Sequence, residues 1–220
     1  MSPEAPTSRA PSLILVPAVI TLAVTLLRLA GELQGWSPRF FSRAPGGGGA
    51  LVGISWLVLV FGAWFGWKLG RSGASPAGLG RALGITVLAL VILPGLGFAA
   101  SALKMDPHAT GTFAVYVVGS ILALAVGLQA WPALGRTLLA YAFAARVPVA
   151  LLMLLAIFGD WGTHYDVPPF PEFPAMAPLL KWFYIGFLPQ LTIWIAFTVV
   201  VGSLFGIPAG ALARRGRASA

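Results

Sequence analysis

Two groups of polar residues stand out in an otherwise apolar chain. The first is Arg146, in Ala-Ala-Arg-Val-Pro, together with Gln190, in Leu-Pro-Gln-Leu-Thr. Arg146 lies ten residues beyond Arg136 within an apolar stretch, and Gln190 nine residues beyond Lys181. At ~1.5 Å of helical rise per residue, both fall roughly 15 Å from the flanking charge, near the centre of ~30 Å of hydrocarbon. A guanidinium at that depth costs at least ~2.5 kcal/mol and requires a partner or water. Its planar fork matches the two oxygens of a carboxylate, so the chemistry on offer is recognition of a small anionic solute. Pro94, Pro148 and Pro189 fall at the same depth. Each removes a backbone hydrogen bond and frees a carbonyl, and is expected to interrupt its helix. Interrupted helices around one fixed charge share the layout of transporter substrate sites. The freed carbonyls and Gln190 could equally serve only to satisfy Arg146. A span that starts later would leave Arg146 at the interface, snorkelling.

The second group is Asp160, Trp161, Thr163, His164, Tyr165 and Asp166, with Glu172 close in sequence and Asp106 and His108 in an earlier loop. A histidine between carboxylates can ligate a metal or work as an acid/base pair. With no cysteine and two histidines in the chain, a ligand set is thin, so no metal, cofactor or catalytic residue is assigned. The plainer reading is a polar cap whose carboxylates hold Lys181, Arg39 or Arg43. Arg28 and Glu32, four apart in the order less favourable for helix pairing, read as local structure. Gly46-Gly47-Gly48-Gly49 is not followed by Gly-Lys-Ser/Thr, so it reads as a flexible joint and not as a phosphate loop.

The elements that must position these residues follow from composition. Of the 220 residues, 58% are apolar and 9% charged, far below the quarter or so charged in a soluble domain. The net charge of +8 is spread between long apolar runs, which points to a lipid bilayer and not to nucleic acid. The chain reads as an all-α polytopic integral membrane protein. Six transmembrane helices are expected at about 12–31, 50–70, 82–103, 111–131, 137–158 and 180–206. A short tail (1–11) precedes them, an outer loop (159–179) rich in proline precedes the last, and a basic tail (208–220) follows. Short-loop Lys and Arg place both termini in the cytoplasm. Arg9, Lys68, Arg71, Arg81, Arg136, Arg214, Arg215 and Arg217 fall on that side, against Arg39, Arg43, Lys104 and Lys181 outside. Trp36, Trp161 and Trp182 are expected at outer headgroups, Trp67 and Trp131 at inner ones.

Two glycine ladders complete the pattern: Gly62, Gly66 and Gly70, and Gly202, Gly206 and Gly210. Glycine at every fourth position lets another helix backbone approach closely, either within the chain or in a dimer. Ser37-Pro-Arg-Phe-Phe41 with the following glycines, and Thr137–Pro148, resemble bacterial members of the Yip-type membrane family. That family has five spans, and no residue role is carried over from it.

Functionally, the absent motifs count most. There is no ATP-binding loop, no repeated half, no cluster of intramembrane acids and no strong catalytic motif. The leading expectation is therefore a membrane scaffold, assembly factor or complex subunit, with another membrane protein or a second copy as partner. The alternatives are a transporter or binder of a small anionic solute at Arg146 and Gln190, and an outer-face enzyme or metal site around His164. Ala/Gly/Arg-rich usage points to a prokaryotic cytoplasmic membrane.

Overall fold

In lipid, a backbone amide must find its partner within its own segment, so continuous apolar stretches fold as helices. The computed structural model describes residues 10–47, 49–106, 109–168, 173 and 175–218. Expectations on His108, Glu172, Pro169, Pro171, Pro174 and Gly48 lie outside the described residues. The architecture is all-helical, with no strand among the described residues. Helix α1 spans Ala10–Leu33, α2 Leu57–Arg71, α3 Leu79–Ala102, α4 Thr110–Gly127 and α5 Pro132–Gly159. Short α6, Pro178–Trp182, runs through a π-helical turn, Phe183–Phe187, into α7, Leu188–Leu191, and then α8, Ile193–Ala218. Four segments are long and apolar enough to cross a membrane: Leu13–Leu33, Leu79–Ala102, Pro132–Gly159 and Pro178–Arg215. Helices α2, with 15 residues, and α4, with the apolar stretch Gly111–Gly127, are shorter.

Helix α8 is the centre of the bundle, packing on α2, α3, α4 and α5. Its Ile195, Ala196, Val199, Val200 and Ile207 are buried. Its most extensive partner is α2, and the glycine ladders explain why. Gly62, Gly66 and Gly70 face Gly202, Gly206 and Gly210 in register. A Cβ on Gly206 would lie 2.7 Å from the Gly62 carbonyl oxygen, and one on Gly210 2.9 Å from that of Gly66. Of the two uses open to the ladders, this is internal packing. Helix α1 packs on α5, where Thr21 Oγ1 and Tyr141 Oη are 2.8 Å apart.

Several expectations need correction. The second helix starts at Leu57, not near 50. Residues 50–56 are apolar without being helical, and their amides bond elsewhere: Leu51 N–H to Arg39 O and Val52 N–H to Phe40 O. Pro94 and Pro148 sit inside unbroken helices. One missing amide bond and one freed carbonyl are tolerated there because the flanking turns stay paired. Pro189 behaves as expected: the π-helical turn precedes it, and the backbone departs from helix at Thr192 (φ −124°, ψ −73°). Trp131 is 2% exposed and packs its ring against Gly210, so it is a core residue and not a headgroup anchor. Trp36 and Trp67 are exposed.

Candidate functional site

The break in the last apolar segment and the middle of α5 meet, bringing Arg146 and Gln190 together. Arg146 is 3% exposed and Gln190 8%, so both side chains are enclosed by the bundle. Arg146 Nη1 donates to Gln190 Oε1 at 3.5 Å, a long contact. The guanidinium carbon lies 4.6 Å from the centre of the Trp194 ring, within cation–π range. Arg146 Nε is buried and has no hydrogen-bond partner. Gln190 Nε2 is turned to Met153 Sδ, 3.7 Å away. The freed carbonyls therefore do not complete the shell of Arg146.

The second cluster, residues 160–166, is tied into the bundle. Asp160 ends α5 in a left-handed conformation (φ 48°), which turns the chain back toward the bundle. Asp166 stitches that turn together: its Oδ2 accepts from Gly162 N–H at 2.8 Å, and its Oδ1 accepts from Thr163 N–H at 2.7 Å and Thr163 Oγ1–H at 2.6 Å. Thr163, Tyr165 and Asp166 are buried, and Tyr165 Oη donates to Thr25 O on α1 at 3.2 Å. Burial pushes the Tyr165 phenol well above its ordinary value, which keeps it a donor. Trp161 is half-buried beside Gly159.

His164 does not pair with its sequence neighbours. Its carboxylate partner is Glu32, at the end of α1. His164 N–H donates to Glu32 Oε2 at 2.9 Å, and His164 Nδ1 lies 2.5 Å from Oε1, a close approach without hydrogen-bond alignment. Arg28 Nε donates to the same Oε1 at 2.8 Å, and Arg28 Nη2 donates to Ser42 O at 3.2 Å. Arg43 closes the set by donating to the Glu32 backbone carbonyl, a cation at a helix C-terminus. Burial is the largest influence on His164 and, despite the adjacent carboxylate, holds its imidazole below the ordinary value, so it is neutral at pH 7. Among the described residues, no group of three His, Asp or Glu side chains is placed to hold a metal.

The two groups that the sequence separates line one chamber. It measures about 620 Å³ and runs from Arg28, His164 and Tyr165 at one end to Arg146, Pro189 and Gln190 at the other. Gly46, Gly53, Ile54 and Ser55 close one side, and the start of α4 another. Pro94 and Pro148 do not line it, nor do Asp160, Trp161, Thr163 and Asp166. No carboxylate lines it among the described residues. Glu32 was underrated by the sequence reading. The available signal was an acid inside an apolar run with an arginine four residues before it, since intramembrane ionisable residues are functional or paired by default. Trp194 and Tyr184 carried no signal beyond hydropathy.

The fold and the site together define an apolar, all-helical protein of the membrane type with a chamber lined by two arginines. Compared with known proteins, the chain matches no family model, no curated protein and no solved structure.

Proposed function

We propose that this chain binds or carries a small anionic solute in the chamber, with Arg146 as the anion contact and Gln190 and Trp194 holding the guanidinium. The observation that carries this reading is Arg146 Nε, buried without an acceptor on a wall that holds no carboxylate among the described residues. A buried charge that served structure alone would be expected to have its donors satisfied. The scaffold or subunit reading loses one of its supports, because both glycine ladders are used in the α2–α8 seam. The enzyme reading loses support from its proposed acids, because Asp166 is committed to the Gly162 and Thr163 donors and Asp160 does not line the chamber. Native mass spectrometry of protein extracted gently from its own membrane tests the proposal. A co-purifying small anion that is absent from Arg146→Lys is the expected result. A stoichiometric second polypeptide with no small molecule would restore the subunit reading.

The topology we propose with it is six spans, using α2 and α4 as the two shorter ones, with both termini in the cytoplasm of a prokaryote. The uneven distribution of Lys and Arg between the two sets of short loops supports it. The chain has no cysteine, so single substitutions report cleanly. An impermeant maleimide should label Ser37→Cys on intact cells and Ser75→Cys only after permeabilisation. Labelling of both from the same side rules the arrangement out.

A further inference from the structure

The shape and polarity of the chamber narrow the ligand beyond "anion". About 620 Å³ is the size of a site for a drug-sized molecule, and a bare inorganic anion would leave most of that wall without contacts. The wall is largely apolar and aromatic. Phe113 of α4 and Tyr184 of the π-helical turn meet edge-to-face at 5.8 Å, and Trp194, Ile185 and Met153 continue the surface to Arg146. Polar side chains such as Ser55 and Tyr116 interrupt that wall, and Thr25 Oγ1 is already spent on Thr21 O.

Charge sets the second constraint. At the outer end, Arg28 is paired with Glu32 at 2.8 Å and also donates to Ser42 O, so that pair is neutral as a unit. Among the described residues, the fixed charge on the chamber wall beyond that pair is the guanidinium of Arg146. A monoanion balances it, and a dianion would bring one uncompensated charge against a largely apolar wall. Edge geometry sets the third. In a guanidinium, Nε–H and Nη2–H point the same way and form the side-on fork. Gln190 occupies Nη1, on the other side, and leaves Nε without an acceptor. That fork takes the two oxygens of a planar carboxylate.

Resting on the anion-binding reading above, we infer that the chamber takes an amphipathic monocarboxylate. Its acid sits on the Arg146 guanidinium, and its apolar or aromatic body lies against Phe113, Tyr184 and Trp194. The test uses the full chain in phosphatidylcholine nanodiscs and four probes: 2-naphthoate, 2-naphthamide, 2-naphthyl phosphate and acetate. Calorimetry should show 2-naphthoate binding, with 2-naphthamide at least about tenfold weaker, as expected for loss of charge-assisted hydrogen bonds. Arg146→Lys, which keeps the charge but not the fork, should lose a similar factor for 2-naphthoate while melting near wild type. Tyr184→Leu leaves Arg146 intact and should weaken 2-naphthoate several-fold.

Each other outcome overturns something specific. Acetate binding as tightly as 2-naphthoate, dependent on Arg146, removes the amphipathic class and leaves the anion reading standing. A preference for 2-naphthyl phosphate at pH 8 removes the monoanion. Abolition of 2-naphthoate binding by phosphatidylglycerol in the disc would make a membrane lipid the occupant, and not a free acid. Absence of any Arg146-dependent binding removes this inference. A co-purified anion in the native mass spectrum would still leave the broader proposal intact.

Discussion

Gly66→Ala is expected to destabilise the folded chain by at least ~3 kcal/mol, the upper end of overpacking costs. The reason is where the methyl would go. A Cβ on Gly66 falls within the van der Waals envelope of the Gly206 carbonyl, which is backbone and cannot rotate away. To admit it, α2 and α8 must part, and the flanking pairs Gly62–Gly202 and Gly70–Gly210 part with them. In lipid, helices gain nothing from excluding water from one another, so close backbone approach is itself most of the attraction and separation forfeits it. Gly80→Ala and Gly84→Ala on α3 are the controls, since a Cβ at either meets nothing within 4 Å. Alanine there should be neutral or stabilising by ~0.5–1 kcal/mol through helix propensity. Thermal melts in one detergent compare the three variants. Equal melting of Gly66→Ala and Gly80→Ala would mean the seam does not hold the bundle together.

The seam was legible because spacing by four is a statement about one helix face, and a sequence carries that face directly. The meeting of Arg146 and Gln190 was legible for a similar reason: residue count along a helix converts to distance, and both counts gave the same level. The break at Pro189 followed from the missing amide. What could not be read were contacts set by chain reversal. His164 and Glu32 are 132 positions apart and meet because the Asp160–Asp166 turn folds inward, and nothing in periodicity reports that. The same reversal merges two expected sites into one chamber. Residues 50–56 misled for a physical reason: a stretch containing Gly53, Ile54 and Ser55 on the chamber wall has the same hydropathy as a span start. Pro94 and Pro148 show the limit of composition, since a proline removes one bond but does not dictate that its helix breaks.

Glu32→Ala is the second change expected to have a large effect, ~3–5 kcal/mol of stability, the cost of removing one partner from a buried ion pair. Glu32 is fully buried, and its two carboxylate oxygens serve Arg28, the His164 amide and the His164 ring together. With alanine, Arg28 loses its carboxylate, the His164 amide loses its acceptor, and the turn over the chamber loses its tie to α1. Glu32→Gln separates charge from shape. It keeps an acceptor for the His164 amide, so it should melt between wild type and Glu32→Ala. It also removes the negative charge that neutralises Arg28, which lines the chamber. The chamber wall would then carry one more positive charge than in the wild type, and ligand preference should move from 2-naphthoate toward 2-naphthyl phosphate. Melting temperature and calorimetry on the same preparations read both effects. Wild-type stability in Glu32→Ala would mean the node is incidental to the fold. An unchanged probe preference in a folded Glu32→Gln would mean that the Arg28–Glu32 pair does not set the charge the chamber accepts.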